Sequence, residues 1–471
     1  MRNKRTSGIG PGVIASAGLL LLAVFSGCQP AEKEPRTLID LPTAFSQSGS
    51  EPLEDRWWLV FDDPELDALM DEALGNNFSI RSTWDRLRQA EQTAVKAGAP
   101  LLPGVAYDAD VRRTRVDRGG QHAYSTAYSA GLVASYELDL WGRVRSVRQA
   151  AAMDAQAAQE NVAAAAITLS AAVARTWYQL AEARLQQDVI ARQIEANEKV
   201  LQIITLQFRQ SHVGASDVLR QRQLVESGRA QLVQTSEAFA LLQHQLSILL
   251  GRTPSTWWAE SPIALTTVGV MPQTAAPATL IWKRPDILRA YRAIEAADKR
   301  VAAAVADQYP RISIVASADT SAIRTSDLFD DWAANLIGNL AGPLFDAGLR
   351  KAEVERTRAV VSELVNAYGQ AVLQAIREVE DAIRQEAYQR EYIASIGQQL
   401  KLATQVYERT RHRYLGGQLD YLRVLESLIS QQSLERNELT ARRVLVERRI
   451  DLCRSLAGGW EMERPEMAEL R

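Results

Sequence analysis

The feature that most constrains this chain of 471 residues is that most of it is written twice. Slid along itself, the sequence falls into register at an offset of 206 residues: Leu138 and Gly142 meet Leu344 and Gly348, Phe208 meets Tyr414, and Val218-Leu219 meets Val424-Leu425. A match that persists without gaps through long helical stretches points to duplication of a whole supersecondary unit, and such units bury their apolar faces against one another. Between the copies lies 251–279, where Pro254, Pro262, Pro272 and Pro277 break helical periodicity.

Each copy contains one very long amphipathic helix. In the first, Ala166, Leu169, Val173, Thr176, Leu180, Ala183, Gln187, Ile190, Ile194, Asn197, Leu201, Ile204 and Phe208 recur at alternating steps of three and four, and the positions from Val372 to Tyr414 repeat the pattern. This is coiled-coil spacing, although the seam alone fits a plain helical bundle equally well. Length separates the two: helices predicted over 144–212 and 349–414 run to about 100 Å at 1.5 Å per residue, far beyond the width of a compact domain. Shorter helices predicted over 65–97 and 217–250, and over 280–307 and 422–456, add up in each copy to nearly the length of the long one. Each long helix can therefore be covered by two short ones, giving rods rather than a globule.

Between the first short helix and the long helix of each copy the texture changes, opened by Pro103 or Pro310. Residues 105–112 alternate apolar and polar with period two, 124–138 form a second candidate strand, and 312–319 and 332–344 are the counterparts. Tyrosines at the ends of such alternation suit a barrel wall with lipid outside and water inside; a soluble hairpin is the rival reading. Two strands per copy make four per chain, too few to close a barrel in lipid, where an edge cannot stay unpaired. Three chains would supply twelve.

The first residues read as an address. Arg2, Lys4 and Arg5 precede an apolar run from Val13 to Val24 and then Phe25-Ser26-Gly27-Cys28, the plan of an export signal. The small residues before Cys28 resemble a bacterial lipobox, with Phe25 standing where leucine is usual, so the expectation is a mature chain that starts at an acylated Cys28. Gln29 rather than aspartate after it favours the outer membrane. Loss of residues 1–27 removes three cations and takes the formal charge from −3 to −6, which with cations scattered among acids leaves no field for nucleic acid. Cys453 then has no partner for an intrachain disulfide, and is read as a small apolar helix residue.

At this point the sequence resembles the TolC-type outer-membrane efflux family, in its NodT-like and OprM-like lipoprotein branch, from about Trp57 to Ala457. The motifs that carry the likeness are Leu140-Trp141-Gly142-Arg143, Arg284-Pro285-Asp286, Phe345-Asp346-Ala347-Gly348-Leu349-Arg350, and the helix-turn-helix tips: Arg413-Tyr414, Gly417 and Leu422-Arg423-Val424-Leu425 in the second copy, Phe208, Ser211 and Asp217-Val218-Leu219 in the first. Arg284-Pro285-Asp286 also has a plain structural reading, proline in the first helical turn with an acid at the positive end.

The resemblance implies a mainly α, tandem-duplicated TolC-like fold: a homotrimer with a twelve-stranded barrel in the outer membrane and a coiled-coil α-barrel in the periplasm. It implies partners, namely a periplasmic adaptor, an inner-membrane pump and outer-membrane lipid, and a passive duct for small molecules with no cofactor beyond the lipid on Cys28. The domain plan is a signal peptide at 1–27, a lipidated segment at 28–64, a first repeat at 65–250, a linker at 251–279, a second repeat at 280–457 and a tail at 458–471. At the tips, Gly214, Gly416 and Gly417 are expected to supply the unusual backbone angles of tight turns. Threefold repetition turns one ionisable side chain into a ring of charge, which makes Asp217, Tyr414, Arg423 and Glu426 the candidate gate. Arg423 stands where the family usually has an acid.

Two other functions are weighed. A lipidated coiled-coil adaptor or scaffold would share the export signal and heptads, but would carry one hairpin and a separate β-rich domain. A duct for secreted proteins would share everything read here. Catalysis finds no support: His122, His212, His244 and His412 lie far apart, and neither a Gly-x-Ser-x-Gly elbow nor a phosphate-binding Gly-Lys-Ser/Thr loop is present.

Overall fold

The computed structural model describes residues 39–50, 52–254 and 265–458; Cys28, the export signal and residues 459–471 lie outside the described residues. In chain order come α1 (Pro64–Asn76), α2 (Phe78–Gly98), β1 (Gly104–Arg118), β2 (Gln121–Leu138), α3 (Arg143–Arg209), α4 (Ala215–Leu249), α5 (Pro277–Lys283), α6 (Pro285–Ala306), β3 (Arg311–Ala322), β4 (Trp332–Ala341), α7 (Leu349–Leu415) and α8 (Tyr421–Leu456). The duplication holds to the residue in the long helices, since shifting α3 by 206 gives the bounds of α7. Each is 67 residues and so about 100 Å long. Both start after a glycine in the left-handed region, Gly142 at φ 76° and Gly348 at φ 86°, where the chain turns out of a strand and a Cβ would be strained.

The short helices break where polar caps intervene. The single helix expected over 65–97 is two, because Asn77 is extended, accepts from the N–H groups of Ser79 and Ile80 to start α2, and donates to the Leu249 carbonyl. Likewise α5 stops at Arg284, extended before Pro285 as the residue preceding a proline favours. Arg284 is itself buried and bonds Asp286, Glu378 on α7 and the Ser455 carbonyl on α8, so the motif staples three helices as well as starting one.

The seam of α3 is buried at ten of its thirteen positions, with Phe208 exposed; the seam of α7 is buried from Val372 to Glu386 and at Ile396, and half-buried at its other positions from Gln389 to Tyr414. Its acidic member, Glu386, is fully buried opposite Arg449 of α8, with two hydrogen bonds of 2.8 and 2.9 Å. Arg449 also donates to the carbonyls of Gly269 and Val270, and Arg390 joins Glu386 and Gly269, so the pair ties the linker to the middle of the rod. Burial opposes charge on Glu386, but Arg449 and Arg390 outweigh it and hold its pKa below the usual value. The neighbouring Cys453 is buried and its thiol is pushed up to about 12 by desolvation.

The strands form one antiparallel sheet in the order β1-β2-β3-β4, with β1 and β4 as open edges. Registers sort the side chains into two faces. One carries Val105, Tyr107, Val111, Leu132, Ile314, Leu336 and Leu340; the other carries Asp108, Asp110, Ser129, Ser313, Ser317, Asp319, Asn335 and Asn339, interrupted by Val133, Val315 and Ile337. Along β2 the apolar face runs from Leu138 to Tyr128, about 33 Å of strand and roughly 25 Å of height at the usual barrel tilt. No helix among the described residues is long and apolar enough to cross a membrane.

Removing one charge of the buried pair strands the other. Arg449→Met is expected to cost about 3–5 kcal/mol, with Glu386→Leu/Arg449→Met recovering much of it, as read by thermal unfolding of the detergent-solubilised protein. Because the folded pKa of Glu386 lies below its unfolded value near 4.3, its contribution is complete above that pH and lost as pH falls through the folded value, a step the double variant should lack.

Candidate functional site

At the tips the two copies make the same turn. In the first, the N–H of Ser211 bonds the Phe208 carbonyl and that of His212 the Gln207 carbonyl; in the second, Gly417 bonds Tyr414 and Gln418 bonds Arg413, all at 2.9 Å. The residue that reverses the chain has positive φ, Ser211 at 64° and Gly417 at 70°, one offset of 206 apart. The expectation for the glycines is corrected here: Gly214 (φ −81°) and Gly416 (φ −83°) adopt angles open to any residue, and only Gly417 uses glycine's freedom. In the first copy a serine takes that strained place.

The candidate gate residues split into two pairs. Asp217 sits in the first turn of α4 and accepts from the Gly214 N–H, capping its own helix. It also lies close enough to Tyr414 and Tyr421 to help burial raise both phenol pKa values, so both remain hydrogen-bond donors at neutral pH. Tyr414 donates to Gln207 at 2.7 Å and its ring lies 5.7 Å from that of Tyr421. Arg423 and Glu426 are exposed one turn apart on α8 and pair with each other at 3.3 Å, so each largely neutralises the other's field.

The residues sequence reasoning passed over are Tyr421 and its partners. Tyr421 is buried and donates to Gln221 at 2.6 Å; Gln221 in turn donates to the Asn197 carbonyl, and Asn197 exchanges two amide bonds with Gln432. Farther along, α3 and α8 meet through Gln193 and Glu435, Gln186 and the Arg436 carbonyl, Glu182 and Arg443, Gln179 and Glu447, and Arg175 and Asp451. The two copies thus join below the middle of the rod through a polar ladder, which gives way at the tip to an apolar cluster of Ile204 with Val424 and Leu425. Glutamines off the heptad positions were the one signal for it.

The second part of the site is the polar face of the sheet. Asp108, Gly131 and Asp319 share a row across three strands. Gly131 keeps the row open: a Cβ there would fall 2.7 Å from an Asp319 oxygen and 3.2 Å from an Asp108 oxygen. Ser317 donates to Asp319 and Ser129 to Asp110. Among the described residues no cluster of His, Cys, Asp and Glu could hold a metal ion.

An open-edged sheet with one apolar and one polar face, set on helical hairpins about 100 Å long, defines a subunit of a membrane-to-periplasm duct. Comparison with known proteins agrees. The model of the outer membrane efflux protein family matches residues 69–252 and 277–458, one block per repeat, and the chain belongs to that family. It is 29% identical over 425 residues to the pyoverdine export outer membrane protein OpmQ of Pseudomonas aeruginosa, covering 88% of this chain and 89% of that one. It is 27% identical to the cation efflux system protein CusC of Escherichia coli over 93% of this chain and 96% of that one. Among solved structures, the outer-membrane channel OprN superposes with TM-score 0.83 at 25% identity over 91% of this chain and 99% of that one. The open state of the Neisseria gonorrhoeae MtrE channel gives 0.81 over 91% and 98%. This chain is an outer-membrane efflux channel subunit that reaches into the periplasm.

Because Ser211 carries angles that suit glycine, Ser211→Gly is expected to stabilise the tip by about 1 kcal/mol, and Gly417→Ala to destabilise it by about 1–2 kcal/mol, as read by hydrogen exchange of the turn amides.

Proposed function

We propose that three copies of this chain form a passive exit duct for small toxic molecules, anchored by a lipid on Cys28, docked to a periplasmic adaptor and an inner-membrane pump, and performing no catalysis of its own. The observation that carries this reading is the sheet with two open edges. Lipid does not tolerate unpaired backbone, so four strands of this amphipathic kind need other copies, and the polar face then lines a lumen. Energy comes from the partners, and the covalent lipid is the one attached group the reading requires.

The tip is the part that closes. Of the candidate residues, Tyr414 and the neighbouring Tyr421 hold the two hairpins through side-chain hydrogen bonds, Asp217 caps α4 at the turn of the first hairpin, and Arg423 with Glu426 faces solvent as a neutralised pair. Opening needs the partly exposed contacts of the α3–α8 ladder to exchange their bonds for water, at small net cost, and the buried tip contacts of Tyr421, Gln221 and Ile204 to part, which holds the tip closed at rest.

The reading makes direct expectations. The mature protein, purified in detergent, should run as a trimer and form pores in planar bilayers; a monomer without membrane-embedded sheet would end the proposal. Deleting the gene should sensitise cells to at least one toxic solute, and labelling with a lipid precursor should vanish in Cys28→Ala. Tyr421→Phe leaves a buried Gln221 oxygen without its donor, an imbalance of about 1–3 kcal/mol, and should raise basal conductance several-fold, whereas Arg423→Ala should leave it nearly unchanged.

A further inference from the structure

Toward the hairpin end of β1 and β2 the apolar face of the sheet changes character. The two strands pair without a break from Gly104 with Ser135 to Arg118 with Gln121. Alternation therefore carries that face past Val111 and Tyr128 to Arg113 opposite Thr126, Arg115 opposite Tyr124 and Asp117 opposite His122. Both guanidinium groups lie over the Tyr124 ring, 5.4 and 5.9 Å from its centroid. Arg115 also meets His122 at 3.1 Å, and Asp117 lies 3.0 Å from His122 and 4.0 Å from Arg115. One carboxylate serves the whole group, and Arg113 enters no ion pair among the described residues. Two guanidiniums held side by side on one ring leave a positive spot shaped for an oxyanion.

Farther from the hairpin end the same face opens into a notch of about 430 Å³. Its floor is Ala130, Leu132 and Ala318; Tyr107 walls it on the β1 side, Phe329 and Trp332 on the other. The second wall exists because the loop between β3 and β4 is tied back onto the sheet. Thr320, which shares a row with Ala130 and Trp332, has its hydroxyl shared between the carbonyls of Leu328 and Asp331, the latter at 2.7 Å. Phe329 is thereby held beside the notch, although its loop is otherwise acidic at Asp327, Asp330 and Asp331. The three wall aromatics stand bare, with relative exposures of 83% for Tyr107, 77% for Phe329 and 74% for Trp332.

We infer that the cluster and the notch together hold one phosphorylated lipid of the outer leaflet, its phosphate between Arg113 and Arg115 and an acyl chain in the notch. The inference rests on the reading above that the apolar face of the sheet meets lipid, and it names a site on that face. Placement supports it. The helices leave from the opposite end of the strands, so the end that carries Arg113 points away from the periplasm. From Arg113 to Tyr107 the chain runs about 20 Å along β1, roughly 15 Å of height at the usual barrel tilt. That is half of a hydrocarbon core about 30 Å thick, the depth of a single leaflet. The cluster thus stands at headgroup level, one row beyond the apolar band that ends at Tyr128, and the notch lies among the chains below it. Charge selects within the leaflet: a zwitterionic headgroup brings its own cation to two arginines, whereas a phosphate monoester brings only the anion they lack.

Native mass spectrometry of the full-length protein in detergent tests the site and reads the oligomeric state in the same spectra. The probes are lipid A, a phosphorylated disaccharide bearing acyl chains, its dephosphorylated form, and phosphatidylethanolamine. Lipid A should be retained well above the other two. Arg113→Ala/Arg115→Ala should weaken its retention roughly tenfold or more, and Ala318→Phe, which fills the notch, should weaken it as well. Arg112→Ala/Arg118→Ala removes two cations from the opposite face and should leave retention unchanged. Equal retention of lipid A and its dephosphorylated form overturns the inference, as does a trimeric Arg113→Ala/Arg115→Ala protein that binds lipid A like the unsubstituted one; either result leaves the duct intact. Loss of lipid A on adding millimolar inorganic phosphate, with Ala318→Phe without effect, shows an anion site and overturns the lipid. A monomeric unsubstituted protein takes down the duct and this site with it.

Discussion

Two helices of 67 residues each cannot be covered by the chain that contains them unless the rest of that chain is spent along their length. This requirement explains why α1, α2 and α4 lie along α3, why α6 and α8 reach across to it from the second repeat, and why the core is a set of separate clusters strung along a rod. It also explains the incomplete burial at the lower end of the α7 seam. A rod about 100 Å long has too much surface for one copy to bury, and the positions left half-covered lie along that seam.

Polar groups inside such a rod do two jobs that depend on how dry they are. The Glu386–Arg449 pair sits where the linker crosses, is fully buried and has its remaining hydrogen-bond capacity taken up by backbone carbonyls, so it fixes the relation of linker, α7 and α8. The ladder between α3 and α8 is partly exposed from Arg175 to Gln186, where each contact is worth little net free energy, and buried at Asn197, Gln221, Tyr421 and Gln432 nearer the tip. Its partly exposed members can trade one another for water. The contact between the two hairpins is thus graded, partly exposed near the middle of the rod and dry at the tip, where Ile204 packs with Val424 and Leu425.

The long helices, the strand pairs and the duplication were legible because their signals are periodic and sum over many residues: the predicted 349–414 differs from α7 by one residue, and 144–212 from α3 by one at the start and three at the end. The breaks at Asn77 and Arg284 were not, because one cap against one helical turn is a local contest decided by partners far away in sequence, here the Leu249 carbonyl and Glu378. The tip glycines mislead for a related reason. A glycine beside a turn looks like the residue that makes it, yet the left-handed position is set by the hydrogen-bond ring, and in the first copy that position holds Ser211. Tyr421 looked like any aromatic at a helix start, and its role appears only once Gln221 is brought against it by the opposite hairpin.

Selectivity follows from the same placement of charge. On the polar sheet face Asp108, Asp110 and Asp319 gather around the gap left by Gly131, whereas Arg112 stands beyond them toward the hairpin end. At the tip the charges are paired, Arg423 with Glu426 and Asp217 with its own helix start. Charge spread over an open sheet face acts through a screened field of about 10 Å reach, and charges already paired at the tip act over less.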